Sequence, residues 1–168
     1  MECLFQPYEY LSNEVIDAYI KLLKAQEGLK KRPGGTVYLE TACLVAIMKR
    51  DGEKNETIEA NYPNCGTSQR PGLVQRVLAY LKHDMVFLPI NVTNTHWYLA
   101  AINVDKREVQ VLDSLGEMFG RVDLNKIRGG LRKQIYFILE ETGPKEHKWL
   151  DVEVDTWPVR EIFRGKLL

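Results

Sequence analysis

Two residues in this chain have the types and spacing for shared chemistry: His96 and Asp113. An imidazole is the side chain best suited to move a proton near neutral pH. A carboxylate that accepts its N–H fixes the tautomer and stabilises the imidazolium. Such a pair serves as the base and orienter for a nucleophile. The plain alternative is a sheet-edge histidine and a strand-end aspartate that never meet.

Whether they meet depends on the stretch from Met85 to Leu115, MVFLPINVTNTHWYLAAINVDKREVQVLDSL. It holds three apolar, β-branched runs: Val86 to Val92, Trp97 to Val104 and Val109 to Leu115. The polar joints Thr93-Asn94-Thr95 and Asp105-Lys106-Arg107 separate them. This pattern predicts adjacent antiparallel strands with tight turns. His96 opens the second strand and Asp113 closes the third, 17 residues later, which suits two neighbouring strands and a turn. Both then lie at one edge of the sheet.

The run VFLPINV…HWYLAAINV…VQVLDSL closely resembles the ubiquitin-like-protein (SUMO) protease family, the Ulp1-like C48 cysteine peptidases, and above all its plant members. LSNEVIDAYI resembles the opening of the family's protease domain. The resemblance implies an α+β, papain-like fold of the Ulp1 type, with a mixed sheet flanked by helices. It implies that His96 is the general base and Asp113 its orienter. It also implies that Trp97 covers a narrow channel for the Gly-Gly tail of the modifier; a partly buried strand aromatic is the plain alternative. The partner implied is SUMO or another ubiquitin-like modifier and its conjugates.

The likeness runs from about Leu11 to Val159 and then stops. The family's next motifs are a Gln of the oxyanion hole and an Asp/Ser-Cys-Gly that opens the nucleophile helix. Here the chain continues Arg160-Glu161-Ile162-Phe163-Arg164-Gly165-Lys166-Leu167-Leu168, without them. The expectation is a single protease domain, residues 1–168, lacking the C-terminal part with the nucleophile. Removing the nucleophile of a linked catalytic unit costs roughly 10⁶-fold in kcat, as in a serine protease. The chain alone is therefore expected not to cleave, and apolar faces the missing helix would cover are expected to stand open. The alternatives are a non-catalytic pseudoprotease that binds a modifier, or a non-functional mobile-element-derived remnant.

Three cysteines offer themselves as replacements. Cys43 is expected to be a small buried hydrophobe on a helix. Asn64-Cys65-Gly66 imitates the nucleophile motif but precedes His96, whereas the family order is His, Asp, Gln, Cys. Cys3 sits near the N-terminus. None of the three has metal-ligand spacing, and no metal or cofactor is expected.

Composition fits this class. The 168 residues are 45% apolar, enough for a core, and carry 23 basic against 23 acidic side chains. That balance predicts no nucleic-acid footprint, and Lys30-Lys31-Arg32 reads as a solvated turn. No secretory signal or membrane-length apolar run is visible, so a nuclear or cytoplasmic location is expected.

Helices are expected at Glu14 to Leu23 after Ser12 (buried stripe Val15, Tyr19, Leu22, Leu23), at Val37 to Arg50 (Leu39, Cys43, Ala46, Ile47), from Pro71 (Val74, Val77, Leu78, Leu81), and at Asp123 to Glu141, where Gly129-Gly130 should weaken it. Asp151 to Val154, continued by Trp157-Pro158-Val159, reads as an edge strand.

Overall fold

A computed structural model describes residues 10–26, 35–54, 71–116, 121–143 and 146–162. In chain order these form α1 (Asn13–Ala25), β1 (Val37–Leu39), α2 (Ala42–Glu53), α3 (Pro71–Tyr80), β2 (Met85–Val92), β3 (His96–Asn103), β4 (Glu108–Leu112), α4 (Val122–Thr142) and β5 (Val159–Glu161). The fold is α+β, as expected. The strands make one mixed sheet in the order β1-β2-β3-β4-β5. β2, β3 and β4 are antiparallel neighbours, and β1 and β5 add in parallel at the two edges.

The central meander follows from its residues. Thr93 and Asn94 take positive φ of 50° and 59°, and Thr95 N–H bonds to Val92 O at 3.0 Å, closing the β2–β3 hairpin. A left-handed pair of turn residues matches the twist of the flanking strands. The register pairs Val86 with Ile102, Leu88 with Ala100, Ile90 with Tyr98 and Val92 with His96. Val109 and Val111 join that face from β4, opposite Ile102 and Ala100. It is the buried face of the sheet, and it meets Val45, Met48, Val77, Leu124, Ile127, Leu131 and Ile135 from the helices. His96 and Asp113 continue this face by alternation, just where the core ends.

Several expected elements take a different form. The helix expected over Val37–Arg50 is a strand followed by a later helix. Val37-Tyr38-Leu39 pairs with Met85-Val86-Phe87, and Tyr38 packs edge-on to Tyr80 at 5.1 Å. Its buried positions are Ala42, Val45, Met48 and Asp51. The start of α2 is fixed from outside: Asp17 of α1 accepts from the N–H groups of Ala42 (2.5 Å) and Cys43 (3.2 Å). Such a carboxylate satisfies orphan donors and opposes the positive end of the helix. In α1 the packed face is therefore Asn13, Asp17 and Ile20, while Tyr19 and Leu22 stand 59% and 66% exposed. Polar residues at contact positions had disguised the face.

The glycines of α4 do not interrupt it. Gly130 lies against Gly52 of α2, and a Cβ on Gly130 would fall 1.8 Å from Met48 O. The pair lets the two backbones touch. The edge strand expected at Asp151–Val154 is irregular chain instead. Arg128, buried in α4, donates to the carbonyls of Val154 (2.9 Å), Asp155 (2.5 Å) and Trp157 (2.6 Å), so these groups do not join a ladder. Within this C-terminal stretch it is Val159–Glu161 that pairs with β4. In α3, Leu73 and Tyr80 join the buried stripe alongside Val77, with Leu81 just beyond its end also buried, while Val74 and Leu78 are half-buried. On the other face of the sheet Leu112 is exposed, as is Ile162 beyond β5. Among the described residues no helix is long and apolar enough to cross a membrane.

Candidate active site

His96 and Asp113 meet. Nε2 of His96 lies 2.7 Å from Oδ1 of Asp113. A carboxylate can only accept, so Nε2 is the donor, and in the neutral ring the lone pair is on Nδ1. The histidine side chain is 13% exposed and the aspartate side chain 0%. The backbone reason is the antiparallel register: β3 begins where β4 ends, and both side chains continue the same face.

Asp113 is buried, which opposes its charge. Three donors outweigh that cost: Arg121 Nη1 on Oδ2 (2.8 Å), Leu115 N–H on Oδ1 (2.9 Å) and His96. Together they hold its pKa below the usual carboxylate range. Arg121 in turn forks onto Glu161 of β5, Nε to Oε1 at 2.7 Å and Nη2 to Oε2 at 2.8 Å, and reaches Gly116 O at 3.1 Å. The hydrogen bonds to Glu161, more than any other contact, push the guanidinium pKa up. Its carbon stands 4.7 Å over the Tyr98 ring, and Tyr98 stacks beside His96 with centroids 6.5 Å apart. The Tyr98 hydroxyl is buried without a hydrogen-bond partner among the described residues, and burial pushes its pKa up to about 12.

Arg121 and Glu161 carried no motif. One local signal did exist: a cation placed just before a helix, where the dipole disfavours it. Arg121 precedes Val122 and makes no side-chain cap.

Trp97 follows His96, so alternation turns it to the opposite face from His96 and Tyr98. It is half-buried, and Nε1 donates to Leu11 O at 3.0 Å. That contact ties the segment before α1 to the hairpin.

Cys43 is exposed, contrary to the expectation of a buried thiol. Its helix turns Ala42 and Val45 inward and leaves position 43 outside. A hydrogen bond with Asp17, then burial, pushes the thiol pKa up, the opposite of what activates a nucleophile. Cys3 and Cys65 lie outside the described residues. His83 Nδ1 bonds to Ala79 O at 2.7 Å beside the end of α3, and His147 is exposed. No group of three metal-ligating side chains occurs among the described residues.

Residues 9–150 match the model of the Ulp1 protease family, C-terminal catalytic domain. Two Arabidopsis thaliana proteins are similar. Ubiquitin-like-specific protease 1A is 31% identical over 159 residues, 94% of this chain and 28% of its own length. Ubiquitin-like-specific protease ESD4 is 30% identical over 118 residues, 68% of this chain and 22% of its own. The chain thus spans about a quarter of the length of these curated relatives. Among solved structures, the C-terminal Ulp1 protease domain in complex with Smt3, the yeast ortholog of SUMO, aligns over 93% of this chain and 57% of that one, at 16% identity and a TM-score of 0.48.

Proposed function

Since the chain belongs to the Ulp1 protease family, we propose that it carries the base and orienter of a cysteine-peptidase site that acts on a ubiquitin-like modifier at its C-terminal tail. The observation that carries this is the 2.7 Å contact between His96 Nε2 and the buried Asp113 carboxylate. His96 is the general base through Nδ1, Asp113 holds the tautomer, and Trp97 flanks the tail. SUMO is the modifier to test first, since the relatives' names specify a ubiquitin-like substrate and the sequence resembles their SUMO-directed kin.

In this family's chemistry a thiolate attacks the carbonyl of the tail's last glycine, the C–N bond breaks and the amine leaves with a proton from the imidazolium, and water then hydrolyses the acyl-thioester. No cysteine follows Asp113 in these 168 residues, and Cys43 faces Asp17. For the polypeptide by itself the proposal is therefore modifier binding without turnover.

The test is hydrolysis of a SUMO-aminocoumarin substrate, with SUMO-dependent thermal stabilisation measured on the same sample. The expected result is a raised melting temperature and no hydrolysis above a His96→Ala control. Hydrolysis abolished by His96→Ala would overturn the reading of no turnover. Absence of any SUMO-dependent stabilisation would overturn the choice of modifier.

A further inference from the structure

The geometry points to Arg121 as a positioning residue, clamped by Glu161, that fixes the Asp113 carboxylate and through it the ring of His96. The clamp deepens the proposed function, since an orienter matters only if His96 is a base, but its geometry stands independently of substrate.

Start with the carboxylate. A terminal carboxyl torsion is broad and nearly two-fold, so packing alone defines its angle poorly. Oδ1 of Asp113 serves His96 and the Leu115 N–H, while Oδ2 receives Arg121 at 2.8 Å. With the side chain fully buried, losing that donor would leave a desolvated acceptor. Only the two contacts on Oδ1 would then hold the carboxylate, and the reason for Nε2 to hold the proton would weaken.

Arg121 is itself placed with more contacts than an ion pair needs. Its planar fork reaches Glu161 on β5 and Gly116 in the loop after β4, and its face lies over Tyr98 on β3. It thus joins β3, the end of β4 and β5 at one point, from the residue just before α4. A lysine could supply the charge but not the fork.

Glu161 has a second consequence. Arg121 alone would cancel the charge of Asp113. With Glu161 present, a neutral His96 leaves the set of four groups with one net negative charge, and an imidazolium brings it to zero. Glu161 thus lets a guanidinium hold the carboxylate without adding net positive charge beside the ring.

The test uses ring-nitrogen NMR of His96 in the 168-residue chain, with Asp113→Ala as the positive control for loss of the tautomer. The wild-type chain should show the Nε2–H form alone in its neutral ring. Arg121→Gln should lose that single form, with the Nδ1–H form appearing beside it. Arg121→Lys and Glu161→Gln should show the same loss in smaller measure. Gly130→Ala, which destabilises the helices away from the site, should lower the melting temperature and leave the tautomer unchanged. A folded Arg121→Gln that keeps the single Nε2–H form overturns the inference. If that variant does not fold, an unchanged tautomer in both Arg121→Lys and Glu161→Gln overturns it. Failure of SUMO to bind would sink the modifier reading without touching these signals.

Discussion

Among the described residues, the carboxylates of Glu40 and Asp51 and that of Asp113 are all enclosed, and of these three only Asp113 contacts an imidazole. Behind the helices, Glu40 and Asp51 are each 0% exposed. Glu40 accepts from the Tyr80 hydroxyl and from Thr41 N–H, with Arg76 Nε at 3.8 Å. Arg76 leads to Gln134 at 3.4 Å, and Gln134 donates to Asp51 at 2.8 Å, which Arg50 also holds. The group ties β1, α2, α3 and α4 together. At the sheet edge the Asp113 side chain is likewise 0% exposed, though the residue as a whole is only half-buried, and its chain of contacts ends in an imidazole that reaches the surface. Burial of a charge thus does not mark function. What differs is a proton-transfer group at one end, at the place where two strands stop.

The contrast predicts opposite responses to substitution. Glu40→Ala should have the largest effect, about 3–5 kcal/mol in urea unfolding, because it strands Tyr80 and Arg76. It should leave the His96 tautomer as it is. A matching change at the site would merge the two groups into one and break the contrast. Gly130→Ala comes next, at about 1–3 kcal/mol, since its Cβ would press on Met48 O. A neutral result would mean that the helix pair can separate at little cost.

A solvent-facing pair sets the lower end. The Lys148 hydrogen bond, more than any other contact, brings Asp84 down to about 2 from its ordinary 3.8. A depressed carboxylate stabilises the fold above its unfolded pKa, and that stability is lost as pH falls toward the folded value. Unfolding free energy should therefore drop by about 1 kcal/mol over this acid window, discounted for the exposure of Lys148. Asp84→Asn should flatten that part of the acid limb. An unaltered limb would remove Asp84 from the account. Asp113 follows the same sign: its contribution is present at neutral pH and lost on acidification, and Asp113→Asn should remove it.

How much was legible follows the same division. The meander was readable because β-branched runs, polar joints and spacing agree, and so His96 and Asp113 could be paired. Arg121 and Glu161 were not, since their meeting depends on β5 adding in parallel beside β4, a long-range event without local pattern. The α1 face misled because Asn13 and Asp17 occupy contact positions that hydrophobic periodicity assigns to apolar residues, and the α2 face because the helix begins only at Ala42 and buries Asp51. The chain before β5 looked like a strand by alternation, but Arg128 claims its carbonyls.

The central claim is that the His96 edge receives a modifier tail. The most direct measurement is NMR titration of the isotope-labelled chain with SUMO, with and without its Gly-Gly tail. The account predicts that the Trp97 indole N–H and the His96 ring shift with intact SUMO and that both responses are lost with the tail removed. Equal responses to both forms, or none at these residues, would contradict it.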